Sequence, residues 1–231
     1  MKFITTTLVF LLMCTTLLAQ EPKELNVGEF STVKVYDLIH ISLVKSTENK
    51  VVITGDDVQD VNIVNTGGTL KIKMAFDKIF NGTNTFVAVH YTNLTSIDGN
   101  EGAYIVGNEL IVQDKIELRA QEGAKLKIGI DVKEVLIRAV SGGSIKTNGK
   151  AETQTVTLNT GGIYKGEAFP TINTTVTVRA GGEADVNASE LVDAKVTAGG
   201  DIYIYGNPVK VNKKTTFGGD ITVRKGELTE D

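Results

Sequence analysis

Lysines recur at a fixed pitch in the second half of the sequence, at Lys127, Lys146 and Lys165, 19 residues apart each time, with Lys125 beside the first. Arg119 and Arg138 repeat with the same step of 19. Cations at constant pitch could hold an anionic glycan or a lipid headgroup. The plainer reading is a solvated outer face whose charges resist edge pairing. Carboxylates follow a similar rhythm at Glu183, Asp201 and Asp220, with Asp185 close by. Three carboxylates in register could bind Ca²⁺, which takes oxygen ligands. No carbonyl-rich G-G-x-G-x-D loop accompanies them, so hydrogen bonds to turn amides are the better reading and no metal is assigned. Tyr203 and Tyr205, in DIYIYGNP, share one parity and could stack on sugar rings or simply cover the last units of the fold. Catalytic equipment is sparse. His40 and His90 stand in strand patterns with no Ser or Asp motif beside either, and the basic and acidic ladders fall on different units, which leaves no evident cleft lined by both. The chain reads as a non-enzyme without a cofactor.

The elements that must carry these side chains are set by a repeating glycine. It falls at Gly102, Gly123, Gly142, Gly161, Gly181, Gly199 and Gly218, in EGA, SGG, TGG, AGG or FGG. A period near 20 residues signals stacked supersecondary units rather than one globular fold. Three residues after each marker stand Ile105, Leu126, Ile145, Tyr164, Ala184, Ile202 and Ile221. Five before stand Ile97, Leu118, Ile137, Val156, Val176, Ala194 and Lys213. Odd offsets share one face of a strand on either side of the turn, while even offsets carry mostly charged and polar residues. Each unit is therefore strand, glycine turn, strand, apolar inside and polar outside. Units this small bury an apolar face only by stacking, which predicts an all-β, right-handed parallel β-helix of coils about 19 residues long, each adding about 4.8 Å of rise. The glycines suit corners where φ is positive or the coils approach closely. Val156, Val176, Val178 and Val196 are expected in the core, Lys146 and Lys165 outside.

Before the coils, residues 21–29 read as a polar lead-in. Val33, Val35, Ile39, Ile41 and Leu43 share one parity, with Asp37 interrupting as a bend. Thr66-Gly67-Gly68 reads as a hairpin turn, Asp56-Asp57 as the cap of a brief helical turn, and residues 77–84 as a loop. Residues 21–95 are thus expected as an antiparallel or irregular β portion that also covers the first coil, and 96–226 as the coils. Pro170 and Pro208 are expected in turns. An acidic tail, 227–231, closes the sequence.

The sequence starts MKFITTTLVFLLMCTTLLAQ, a Lys followed by a short apolar run and a small residue, which reads as a signal peptide over residues 1–20. A lipobox around Cys14 is the alternative, with Met13 where a small residue is wanted. Without Lys2 the 24 basic side chains become 23 against 28 acidic ones, a net charge of −5 that argues against a nucleic-acid partner. The single Cys lies in the leader, so disulfides and thiol chemistry are excluded from the mature chain. No further apolar run is long enough to span a membrane. Export to the periplasm, outer-membrane surface or exterior is expected.

The glycine-pair turns followed by Asp-Ile, and above all AGGDIYIYGNPVKVNKKTTFGGDI at 198–221, resemble the head GIN domain family. These are secreted proteins of Gram-negative bacteria described as auto-transporter adhesins. The order KVVITGDD then GGTLKIKM in the N-terminal part is similar too, so the resemblance covers about residues 30–224. The turns at TGGI and SGGS depart from the GSG common in the family. The resemblance implies a β-helical fold and a surface or periplasmic location, and supplies no catalytic residues. Two function classes stand at this point. One is a secreted binding or adhesion module for a polysaccharide or another extended ligand, using Lys127, Lys146, Lys165, Tyr203 and Tyr205. The other is a carbohydrate-active enzyme or accessory protein on the same scaffold.

Overall fold

The structure, a computed structural model, describes residues 22–224. The expected leader with Cys14 and the tail 227–231 lie outside the described residues. Strands β1 (Lys23–Asn26), β2 (Thr32–Val35), β3 (His40–Lys45), β4 (Lys50–Gly55), β5 (Val61–Thr66), β6 (Thr69–Met74), β7 (Thr85–Tyr91), β8 (Ser96–Gly99) and β9 (Tyr104–Gly107) make up the first half. The second half holds β10 (Ile111–Ala120), β11 (Lys125–Val140), β12 (Ser144–Asn159), β13 (Ile163–Arg179), β14 (Glu183–Thr197), β15 (Asp201–Tyr205), β16 (Lys210–Thr216) and β17 (Asp220–Val223). The chain is an all-β parallel solenoid. From β11 to β14 each strand runs from one glycine corner to the next and bends on the way, where short strands were expected.

The glycine markers set the register. Ile105, Leu126, Ile145, Tyr164, Ala184, Ile202 and Ile221 stack as direct neighbours on successive coils. So do Ile97, Leu118, Ile137, Val156, Val176, Ala194 and Lys213 on the other side of the corner. Val156, Val176, Val178 and Val196 are fully buried, as their parity predicts. Two departures from the apolar pattern have a shared cause. Tyr164 is fully buried, Thr147 Oγ1 lies 2.7 Å from its hydroxyl, and Gln154 donates to that hydroxyl, so a polar side chain is needed at Thr147. A Cβ on Gly166 would sit 2.5 Å from the same ring.

The corners explain the glycine pairs. The residue before each marker is itself left-handed, from Glu101 at φ 50° to Phe217 at φ 58°, and the marker follows with φ between 72° and 86°. A Cβ on Gly142 would meet nothing, so its constraint is backbone conformation. A Cβ on the next residue, Gly143, would lie 2.2 Å from the Ala120 carbonyl oxygen, so that glycine is required by close approach. Asp37 and Leu38, with φ of 58° and 63°, form the same corner in the coil of β2 and β3.

The N-terminal portion is more regular than its sequence suggests. β2 and β3 pair in parallel with β8 and β9, and β6 and β7 stack in parallel on β2 and β3. Chain order and coil order therefore differ: after β1 in the outer cover, the chain lays down β2 and β3, passes outward through β4 and β5 to β6 and β7, and returns to the far side of β2 and β3 at β8 and β9. Antiparallel pairing is confined to β1–β4, β4–β7 and the β5–β6 hairpin, which cover the outermost coil. The polar lead-in is in part a strand, β1. A 3₁₀ turn spans Val58–Asp60, with Asp57 at its N-cap but no side-chain cap bond. Pro170 lies inside β13 rather than in a turn, at a register irregularity where a missing N–H is tolerated.

Candidate functional site

One outer face gathers what the sequence shows as separate candidates. Its first row of outward side chains runs Phe86, His40, Tyr104, Lys125, Ser144, Ile163, Glu183, Asp201 and Asp220 on neighbouring strands. The adjoining row runs Ala88, Ser42, Val106, Lys127, Lys146, Lys165, Asp185, Tyr203 and Thr222. At about 4.8 Å per strand the face is roughly 38 Å long. It is aromatic at one end, basic in the middle and acidic at the other end.

The aromatic end was not visible as a site in sequence. His40 stacks edge-on between Phe86 and Tyr104, with ring centroids 5.2 and 5.6 Å away. Small residues beside these rings, Ser42 and Ala88, leave a concavity of about 360 Å³ that Val52, Thr54 and Val106 also line. A second concavity of about 640 Å³ shares His40 and Tyr104 and continues over Lys125, Lys127, Lys146 and Lys165. Together they form one trough. The available signal was the outward parity of Phe86 and Tyr104 in TFVAVHYT and AYIVG, but nothing in the sequence shows that β7, β3 and β9 are neighbours in that order. His90 lies further along β7, beside Val44 and Lys50.

The lysines divide into two kinds. Lys125, Lys127 and Lys146 are exposed, and none has a carboxylate partner among the described residues. Lys127 instead places its ammonium 5.6 Å from the Tyr104 ring centroid. Lys165 is not the free, exposed cation its parity predicts. It is half-buried and bonded to Glu183, with Asp185 Oδ2 2.9 Å away. Burial pulls the pKa of this ammonium down, but its hydrogen bonds to the two carboxylates more than offset that and hold it above the usual lysine range. The basic and acidic ladders, expected to stay apart, thus meet on one face at Lys165. Arg119 and Arg138 stack on the other side of the corner, where Arg119 pairs with Glu117 at 3.2 Å.

Glu183, Asp201 and Asp220 stack in register as expected. Glu183 is engaged by Lys165, and among the described residues no three His, Cys, Asp or Glu side chains converge to hold a metal. Tyr203 and Tyr205 point outward beyond Asp185, and Arg224 lies 4.7 Å over the Tyr203 ring. Burial, then the negative charge of Asp185, pushes the Tyr205 phenol up.

A groove of about 630 Å³ runs along a third side of the solenoid, over Val112, Val132, Ala151 and Ile172. Its lysines differ from those of the trough. Lys133 pairs with Asp114 at 2.8 Å and Lys150 with Asp131 at 3.5 Å, while Lys115 nearby pairs with Glu134 at 2.9 Å.

The parallel β-solenoid thus presents an aromatic and cationic trough open along one side rather than an enclosed pocket. The chain belongs to the family described as putative auto-transporter adhesin, head GIN domain, whose profile matches residues 29–208. Among solved structures it is similar to a putative adhesin from Bacteroides fragilis NCTC 9343, with a TM-score of 0.81 at 17% identity over 88% of this chain and 96% of that one. A putative lipid binding protein from Parabacteroides distasonis ATCC 8503 gives a TM-score of 0.67 at 16% identity, covering 89% and 96%. A putative adhesin from Parabacteroides merdae ATCC 43184 gives 0.66 at 17%, with the same coverage. These likenesses establish the shared fold. No curated protein matches the chain. No helix of the described residues is long and apolar enough to cross a membrane.

Proposed function

We propose that the protein is an exported, surface-associated adhesion module that binds an extended acidic glycan along this trough without turning it over. The adhesin description of its family and of two similar structures supports the adhesion role. The observation that carries the ligand class is the cluster Lys125, Lys127 and Lys146 across the two rows. Lys125 and Lys127 share one strand and Lys146 follows Lys127 on the next coil, with no carboxylate among the described residues to neutralise them, next to an open aromatic surface. Repulsion at that spacing is relieved by a polyanion laid along the coils. Tyr104, His40 and Phe86 offer faces for sugar rings at one end, and Tyr203 and Tyr205 extend the path at the other. Lys165 serves as the hinge between the basic and acidic stretches rather than as a free contact. Export rests on the leader-like segment at residues 1–20, and sequencing the native N-terminus checks it: a start near residue 20 or 21 supports it, and an intact Met1 contradicts it.

A glycan array on the mature chain, with and without Ca²⁺, tests the binding. Salt-sensitive retention of acidic polysaccharides over neutral ones is expected. Absence of any acidic-glycan binding contradicts the reading, and hydrolysis or lyase turnover of any polymer overturns its non-enzymatic part.

A further inference from the structure

Most corners of the solenoid are two-residue turns, but one is greatly enlarged. Between β6 and β7 the chain makes the same passage with residues 75–84, AFDKIFNGTN. In repeat folds, an insertion confined to one unit is often where a binding function sits. This one displays apolar side chains outward: Phe76 is 92% exposed, Phe80 58% and Ile79 44%. Large apolar groups clustered in so short a stretch mark a docking surface, whereas single exposed ones need no explanation.

The segment is built to hold them there. Asp37, buried at the neighbouring corner, accepts from the Met74 amide at 3.0 Å and from the Phe80 amide at 3.2 Å, one bond to each carboxylate oxygen. The Asp37 carbonyl accepts from the Gly82 amide at 3.0 Å. Two 3₁₀ turns, Phe76–Lys78 and Gly82–Asn84, fill the remainder, and Phe80 itself is held at φ 60°. A preorganised display of this kind has lost its conformational entropy before any partner arrives.

The surroundings select the partner. Lys71 and Lys73 are exposed on β6, have no carboxylate partner among the described residues, and line the same concavity as Phe76 and Ile79. Aromatic tips flanked by free lysines fit the boundary between acyl chains and anionic headgroups. The segment also lies in the outermost parallel coil, the end at which β1 carries the start of the described chain. We propose that residues 75–84 form a knuckle that inserts into a lipid surface carrying anionic headgroups, seating the solenoid on its N-terminal end. This rests on residues outside the trough and is independent of the glycan reading.

The chain has no Trp, so a single substitution reports on this site alone. The mature Phe80→Trp protein is mixed with vesicles of phosphatidylcholine alone or with phosphatidylglycerol added, and emission is followed with and without brominated acyl chains. Phe76→Trp serves as a second reporter, and circular dichroism confirms folding of each. A blue shift with anionic vesicles, quenched by bromine, is the expected result. Phe76→Ser with Ile79→Ser should lower partitioning of the Phe80→Trp protein by about tenfold or more, the scale of losing one or more apolar transfers. No shift with either vesicle overturns the proposal. Vesicle binding without bromine quenching, abolished by Lys71→Ser and Lys73→Ser, also overturns it, since it indicates surface attraction alone. A concentration-dependent blue shift without vesicles overturns it in favour of a second copy of the chain.

Discussion

Two sets of three lysines lie on neighbouring coils of the same solenoid and have opposite fates. Along the third side, Lys115, Lys133 and Lys150 each meet a carboxylate from the adjacent coil, at 2.9, 2.8 and 3.5 Å. In the trough, Lys125, Lys127 and Lys146 meet none among the described residues, and their neighbours along the rows are Tyr104, Val106, Ser144, Lys165 and, for Lys127 and Lys146, each other. Both sets project outward from the same coils, so exposure alone says nothing about use. What separates them is whether the next coil supplies the opposite charge. A paired ladder has its electrostatics satisfied within the protein, while an unpaired one leaves a field for something else to neutralise.

The contrast presupposes the register that places both sets outside, and breaking that register has the largest expected effect. Val178→Asp puts a carboxylate among fully buried apolar side chains and should cost several kcal/mol unless it protonates. An unchanged thermal midpoint would show the register to be wrong.

Lys165 sits between the two kinds, and removing it sharpens the difference. Lys165→Ser leaves Asp185, only 6% exposed, without its cation and should cost about 1 kcal/mol, since the partly exposed lysine is screened by solvent. Its folded pKa lies above the unfolded one, so the stabilisation is complete below the ordinary lysine range and is lost as pH rises through the folded value. At neutral pH the penalty should therefore appear in full by denaturant titration. A loss no greater than that of Lys146→Ser would contradict the pairing.

Smaller still is the effect of Lys133→Ser on the paired side, a slight loss diminished by salt because the pair is solvent-screened. Lys127→Ser with Lys146→Ser should leave stability unchanged, or raise it slightly at low ionic strength as repulsion is relieved. Thermal melts at two salt concentrations separate the cases.

Much of this was legible in the sequence because the solenoid ties side-chain parity to a glycine turn in every coil. The inward stacks through Leu126 and Leu118 follow from offsets alone, as does the outward parity of Tyr203. Three features were not legible, each because it depends on which strands become neighbours. The trough's aromatic end needs β3 between β7 and β9, a rearrangement of chain order that local pattern does not encode. Capture of Lys165 needs the offset of one coil against the next to bring Glu183 and Asp185 to it. Lys213 occupies an inward position in the last parallel coil and donates to the Ile221 carbonyl at 3.0 Å. Its sequence offset marks it as an exception to the apolar stack, but only the structure shows that its charged end reaches the backbone of β17, while the other end of the solenoid is covered by antiparallel strands.

The difference between the two ladders is tested most directly by moving the same three charges on each side. Retention of the mature chain on an immobilised acidic polysaccharide is measured across a salt series for the parent, for Lys125→Ser, Lys127→Ser, Lys146→Ser, and for Lys115→Ser, Lys133→Ser, Lys150→Ser. Salt-sensitive binding should be abolished in the trough variant and retained in the other, although both lose the same net charge. Equal loss in both, or binding untouched by either, would contradict the account.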